Sequence, residues 1–452
     1  MNNLNAWNIY TKDEIFDYCD NYINFLNKGK TERLCVEYFK AEAEKNGFIN
    51  IDDATALKTG DKIYKINRNK SIALAVIGQK DISDGTNIIA SHIDSPRLDL
   101  KPNPLYEDSN LALFKTHYYG GIKKYQWVSV PMSLIGVVVL KDGSVIDVNI
   151  GENAGDPVLT ISDLLIHLAS EQMGKKASEV IGGEDLNLII GSIPDNCEKD
   201  KFKSTVLNIL KDKYGFEEDD FSSAELEAVP SFKATCVGLD RSMIGAYGQD
   251  DRVCAYTSYT ALLNANNPER TSICMLADKE EIGSMGTTGM EAMFFDDFII
   301  ELIYKTKGEY NHFMLRNCLS KSYCLSADVA GATDPTFKSV MESSNASYFG
   351  GGIALVKYTG ARGKSSASDA NAEYVAKIRG MLDKNNIPWQ ICELGKVDAG
   401  GGGTVAKFIA NKGADTLDCG VPVLSMHSPF ELTSKADVYA TYNAYKAFYE
   451  IN

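Results

Sequence analysis

Four short apolar runs end in side chains that bind metals or move protons. "NIIAS" leads into His92 and Asp94, "ICMLADK" into Glu280 and Glu281, "YCLSA" into Asp328, and "VPVLSM" into His427. A fifth stretch, "GQDDRVC", sets Asp250 and Asp251 just ahead of an amphipathic segment. Each feature alone has a plain structural explanation. A histidine after a strand is usually a hydrogen-bonded packing residue, and acidic residues at a helix start cap it and favour its dipole. The set is harder to dismiss, because the chain has only 5 histidines and two of them are in it. Imidazole with carboxylates suits zinc or a similar divalent ion. Two ions about 3.5–4 Å apart need a bridging carboxylate. Asp94, next but one to His92 on an extended segment, can accept from the far ring nitrogen and fix the tautomer. Of the adjacent pair Glu280 and Glu281, one can bind metal while the other stays available as a base. Metal charge then compensates two anions at the end of a buried strand.

Elements of the right kind surround these residues. Buried strands are expected at 71–78, 86–91, 272–277, 322–327, 352–358, 389–394 and 421–426, all short and largely apolar runs. Helical periodicity marks 251–265, 368–385 and 434–450. The alternation implies an α/β fold with a mixed or parallel sheet covered on both faces. In such sheets ligands bind at the carboxyl ends of the strands, where these runs deliver their histidines and carboxylates. The stretch from about 101 to 234 differs. It has β-like alternation in "SLIGVVVLKDGSVIDVNI", followed by a polar helical segment "EKDKFKSTVLNILKDKYGFEEDDFSSAELE". We read it as a domain inserted into the first, giving 1–100, 101–234 and 235–452 as catalytic, inserted and catalytic parts.

With 452 residues the chain exceeds one typical core. A net charge of -15 argues against nucleic acid or an anionic membrane as partner. No apolar run reaches the roughly 18 residues of a membrane span, and the N-terminus does not read as a signal peptide. The 10 cysteines form no CxxC pair and look like reduced core thiols, which fits a cytoplasmic address.

In order, "SHIDSPRLDLKP", "GQDDRVCAY", "DKEEIGS", "SADVA" and "SMHSPFELTSKAD" resemble the aspartyl aminopeptidase/aminopeptidase I family of dinuclear zinc peptidases. The resemblance spans 86 to 437. It implies a three-layer α/β/α zinc-peptidase catalytic domain with an inserted β-rich dimerisation domain, and dimers assembling into a dodecamer. It implies two divalent ions per subunit, most readily zinc, with manganese or cobalt as alternatives. Carried over residue by residue, His92 and Asp328 hold one ion, Glu281 and His427 the other, and Asp250 bridges them. Glu280 is then the general base for a metal-activated water attacking the first peptide carbonyl, and Asp94 orients His92. The substrate is a peptide with a free N-terminus.

The substrate side is less definite. "DAGGGGTVAKFIA" lacks a clear dinucleotide-binding spacing, and a family Gly-rich turn here lines the active site, which points to Gly402. "VLTISDLLIHLAS" resembles a family segment of the inserted domain, so His167 is a candidate to reach a neighbouring subunit. Lys357, Arg362 and Lys364 are candidate cations for an acidic N-terminal side chain. The chain departs from the family pattern at "GATDP", after "SADVA", and at "IKKYQW", which leaves the preferred residue open. A related deacylase or carboxypeptidase would use the same ligands on another amide. A silent assembly protein would have lost a ligand or Glu280, and none is lost.

Overall fold

The computed structural model describes residues 5–451 apart from 266 and 364. The chain divides into two compact units. One comprises the residues up to Asp94, Ala234–Met426, and Phe430 onward; the other comprises Ser95–Lys233 and His427–Pro429.

The first unit is built on a nine-stranded mixed sheet. At its centre Asn87–His92 lies between two parallel neighbours, Ser272–Ala277 and Tyr323–Ser326, and Asp415–Gly420 continues the parallel run. Successive side chains of these strands point to opposite faces of the sheet, and both faces are covered. Ile72, Leu74, Cys274 and Leu276 pack toward helices Lys12–Lys28, Glu32–Lys45, Gln249–Leu263, Ala372–Lys384 and Lys435–Tyr449. Ala73, Ala75, Ile273 and Met275 pack toward Phe294–Lys307, His312–Ser320 and Ala406–Ala410. Burial on both faces explains why these strands read as continuous apolar runs. Each buried Leu or Ile contributes about 1.5–3 kcal/mol against solvent exposure.

One expected element lies elsewhere. "VPVLSM" does form a strand, Pro422–Leu424, but in a separate five-stranded sheet with Glu431–Ser434 and Met243–Ala246. The main-sheet strand of this region is Asp415–Gly420, "DTLDCG". Three polar residues break its apolar pattern, so it does not stand out in the sequence. The expected strand 352–358 stops at Val356, and Tyr358–Ala361 joins a small sheet with Ser365–Asp369 and Gly401–Gly402.

The second unit contains a six-stranded sheet, in the order Val145–Ile150, Met132–Val139, Ala224–Pro230, Arg97–Asp108, Leu111–Tyr119, Asn187–Gly191. Its longest hairpin turns at Ser109 and Asn110, both with positive φ (48° and 64°). That is the primed turn whose twist matches paired strands. Arg97 is buried in this sheet, 3.3 Å from Glu227, 2.8 Å from Asp99 and 4.0 Å from the centre of the Tyr119 ring. The helical periodicity of the middle segment corresponds to Lys201–Tyr214, but its tail "AELE" is strand, not helix.

Candidate metal centre and catalytic edge

The three central parallel strands of the first unit end side by side. Ala277 pairs with His92, and Ser326 with Ala90, so Asp94, Asp278 to Glu281 and Asp328 all emerge at one edge. Helix Gln249–Leu263 brings Asp250 and Asp251 to the same place. Its first turn is distorted, with non-helical dihedrals at both residues.

His92 is the hub. Its Nδ1 lies 3.1 Å from the Asp94 carbonyl oxygen and 3.3 Å from Asp94 Oδ1, so this nitrogen carries the proton. Nε2 then presents its lone pair to Asp250 Oδ1 at 3.2 Å and Asp328 Oδ1 at 3.8 Å. Two carboxylate oxygens facing a lone pair repel it unless a cation lies between them. Two donor groups meet around this ring, each with its ligand atoms within 4.8 Å of one another: His92, Asp251 and Asp328, and His92, Asp250 and Glu281.

The electrostatics agree. Burial pushes the Asp328 carboxyl well above the carboxylate range, and neighbouring Asp251 and Asp250 add to it. Burial does the same to Asp251, with Asp250 adding to it and His92 opposing. For His92 burial disfavours the charged ring, yet Asp250 and Asp94 outweigh it and hold its pKa well above the usual value, so a proton on Nε2 answers these carboxylates where a metal ion would otherwise take its place. Asp251 Oδ1 is buried with no hydrogen-bond partner among the described residues. Several buried anions around one imidazole need positive charge, and mixed N/O donors of this spacing fit a divalent ion such as zinc. The residues present therefore fit the metal that the motif implies.

Asp94 has a second role that sequence spacing did not reveal. Its Oδ1 accepts the backbone N–H of Glu280 and its Oδ2 that of Glu281, both at 3.2 Å. These amides converge because Lys279 is left-handed (φ 68°), Gly283 follows in the same region (φ 91°), and Glu280–Ile282 forms one tight turn between them. One buried carboxylate thus fixes both the imidazole and the backbone of the glutamate pair. Glu280 is half-buried at the rim. Asp251 is the other donor the sequence reading passed over. Of this doublet the resemblance implies only Asp250 as a ligand, but Asp251 Oδ2 accepts the backbone N–H of His92 at 3.3 Å.

The remaining candidates are more dispersed. His427 is in neither donor group and belongs to the turn grouped with the second unit. There its Nδ1 donates to the Gly121 carbonyl at 2.7 Å, which directs the lone pair to Nε2. Lys357 is half-buried and donates to Tyr358 Oη at 2.6 Å. Gly402 is exposed and pairs with Gly360. His167 is exposed on the short turn Ile166–Leu168 of the second unit. Arg362 is exposed with φ 52°. Lys364 lies outside the described residues.

The family model described as aminopeptidase I zinc metalloprotease (M18) matches residues 25–449. The chain belongs to this family. It is a zinc-dependent aminopeptidase by that membership, a hydrolase acting on peptides. A probable M18 family aminopeptidase 1 of Clostridium acetobutylicum is 51% identical, with 98% of this chain and 97% of the relative aligned. The crystal structure of an M18-family aminopeptidase from Thermotoga maritima superposes with a TM-score of 0.97 at 47% identity, covering 100% of this chain and 99% of that one. The dodecamer of S. cerevisiae mApe1 shares the fold alone, with a TM-score of 0.77 at 20% identity over 96% and 98% of the chains.

Proposed function

We propose that the catalytic edge is a dinuclear zinc centre that removes the N-terminal residue from peptides. Asp250 would be shared by the two ions, with His92 and Asp328 holding one and Glu281 and His427 the other. The observation that carries this reading is the gathering of His92, Asp250, Glu281 and Asp328 at one strand edge, where with Asp251 they form two overlapping donor groups, each with ligand atoms within 4.8 Å. Zinc at such a site lowers the pKa of water and polarises a carbonyl.

The chain's own residues do the rest. Glu280 takes the proton of the attacking water on its carboxylate and returns it to the leaving amine nitrogen. Its rim position supports this, since a base must meet both water and substrate. Asp94 keeps Glu280 in register with His92 by holding the two backbone amides and the imidazole together. The surplus of carboxylates favours a substrate with a protonated, unblocked amino group, which makes the action exopeptidic. Asp251, beneath His92, keeps that residue's backbone in place.

Other features extend the same reading. The second unit serves in dimerisation, and such dimers build a dodecamer. Support comes from its exposed apolar run, with Leu165 54%, Ile166 70% and Leu168 69% accessible around His167. We place the enzyme in the cytoplasm, where its ten free cysteines stay reduced. No helix among the described residues is long and apolar enough to cross a membrane.

The test is turnover of free-amino dipeptide-type substrates, each with an N-acetylated twin, after chelation and return of zinc, manganese or cobalt. Cleavage of the free forms alone, restored by metal, is expected. Equal cleavage of the acetylated twins would point instead to a deacylase or carboxypeptidase.

A further inference from the structure

We propose that Glu431 is a positioning residue for the bridging carboxylate, acting through the backbone of Asp250; the proposal rests on the bridging role given to Asp250 above. Glu431 opens the strand Glu431–Ser434, and its register opposite Ala246 sets it beside the start of helix Gln249–Leu263. It is 1% exposed, and its Oε2 accepts the Asp250 N–H at 3.0 Å.

The grip is reciprocal. Gln249, the residue before Asp250, donates from Nε2 to the Glu431 carbonyl at 2.8 Å and to the Ile244 carbonyl at 3.1 Å. Its Oε1 accepts from Thr433 Oγ1 at 2.6 Å and Tyr22 Oη at 3.4 Å. With both amide hydrogens and its oxygen engaged, Gln249 has one orientation only. The strand is thus held by the helix's side chain, and the helix's first peptide by the strand's side chain.

An N–H in the first helical turn needs an acceptor anyway, and a hydroxyl would serve that purpose cheaply. A long polar side chain, fully buried and brought in from another strand, is a costlier acceptor, so its presence asks for a further reason. Two observations supply one. The Asp250 carboxylate projects from the very peptide Glu431 holds, and reaches His92 Nε2 at 3.2 Å. Asp250 sits at φ -79° and ψ 109°, off the helical path, so regular helix geometry does not fix this residue. The charge of Glu431 is also balanced from its own side. Arg252, 1% exposed, lies in the field of Glu431 and stacks 4.9 Å from the Tyr247 ring centre. Outer partners of this kind typically change metal affinity or activity about 10–100-fold.

The experiment measures zinc affinity by competition with a chromophoric chelator, alongside thermal stability, kcat and KM, for Glu431→Ala, Glu431→Gln and Glu431→Asp, with Asp250→Ala as reference. Glu431→Ala is expected to weaken zinc binding about 10–100-fold and to lower kcat with KM little changed. Glu431→Gln, whose amide oxygen still reaches the Asp250 N–H, restores most of both. Glu431→Asp keeps the charge but falls short, and binds zinc more weakly than Glu431→Gln. This last order decides the matter even if the alanine variant fails to fold, and the reverse order overturns the proposal. Wild-type zinc affinity in all three Glu431 variants, with metal lost in Asp250→Ala, removes the role of Glu431 and leaves the bridging role intact. Unchanged zinc binding in Asp250→Ala removes both.

Discussion

The catalytic edge and the candidate substrate contacts are built differently. At the edge, His92, Asp94, Asp250 and Asp251 are all buried, and each is held by partners from at least one other element. Among the substrate candidates, Gly402, His167 and Arg362 are exposed, and Lys357 leans on its neighbour Tyr358. The first group sits on strand ends and a helix start, the second on turns and a peripheral sheet. A proton transfer tolerates little misplacement, and rigid elements supply that accuracy. Selectivity among N-terminal residues asks only for a fitting pocket, and loops can vary to provide it.

That contrast orders the expected effects of mutation. Glu280→Gln should cut turnover about 10²–10⁴-fold while zinc content is unchanged, because it removes the base and no proposed ligand. Metal loss in that variant, read by elemental analysis, would place Glu280 among the ligands. Asp94→Ala should cost about 10–100-fold in kcat by releasing His92 and the Glu280–Glu281 turn together. If the two are independent, repairing the His92 orientation alone would restore the rate. Lys357→Ala should leave zinc and kcat untouched and raise KM less than about tenfold, only for substrates with an acidic first residue. A uniform rise across substrates would remove Lys357 from the side-chain pocket.

Two further predictions concern the scaffold. Asp437, in the first turn of the last helix, accepts the N–H groups of Gly350 and Gly352, both at 2.8 Å. Asp437→Ala strands two buried donors and should destabilise the fold by about 2–4 kcal/mol, measured by denaturant unfolding. Asp418 is smaller in effect but has a signature in pH. Burial raises its pKa to about 6, with the neighbouring Ser326 and Thr404 hydroxyls pulling the other way. A raised carboxyl pKa means that its contribution to stability is complete below about pH 4 and lost as pH rises through about 6. Relative to Asp418→Asn, wild-type stability should therefore fall across that window and run parallel above it. A constant difference from pH 4 to 7 would show that the group does not titrate there.

The central sheet was legible because strands buried on both faces must be apolar almost throughout, as 72–76 and 273–277 are. The residues just past their ends stood out against that background. Asp415–Gly420 was not legible, because Asp415, Thr416 and Asp418 interrupt its apolar pattern although the strand lies within the buried sheet. "VPVLSM" advertised a strand but not its sheet, since pairing partners are a long-range property. Asp251 was hidden by its neighbour: the same doublet serves a helix start and a metal edge, and only the distorted first turn separates the two. The double use of Asp94 depends on left-handed Lys279 and Gly283, a backbone detail that "DKEEIG" hints at only through its glycine.

The measurement that bears most directly on the account is a zinc titration of the chelated wild-type chain, with bound ions counted against peptidase activity. Two ions per chain are predicted, with Asp250→Ala losing affinity for both, as a bridging carboxylate requires. Saturation of both binding and activity at one ion per chain would contradict the dinuclear centre.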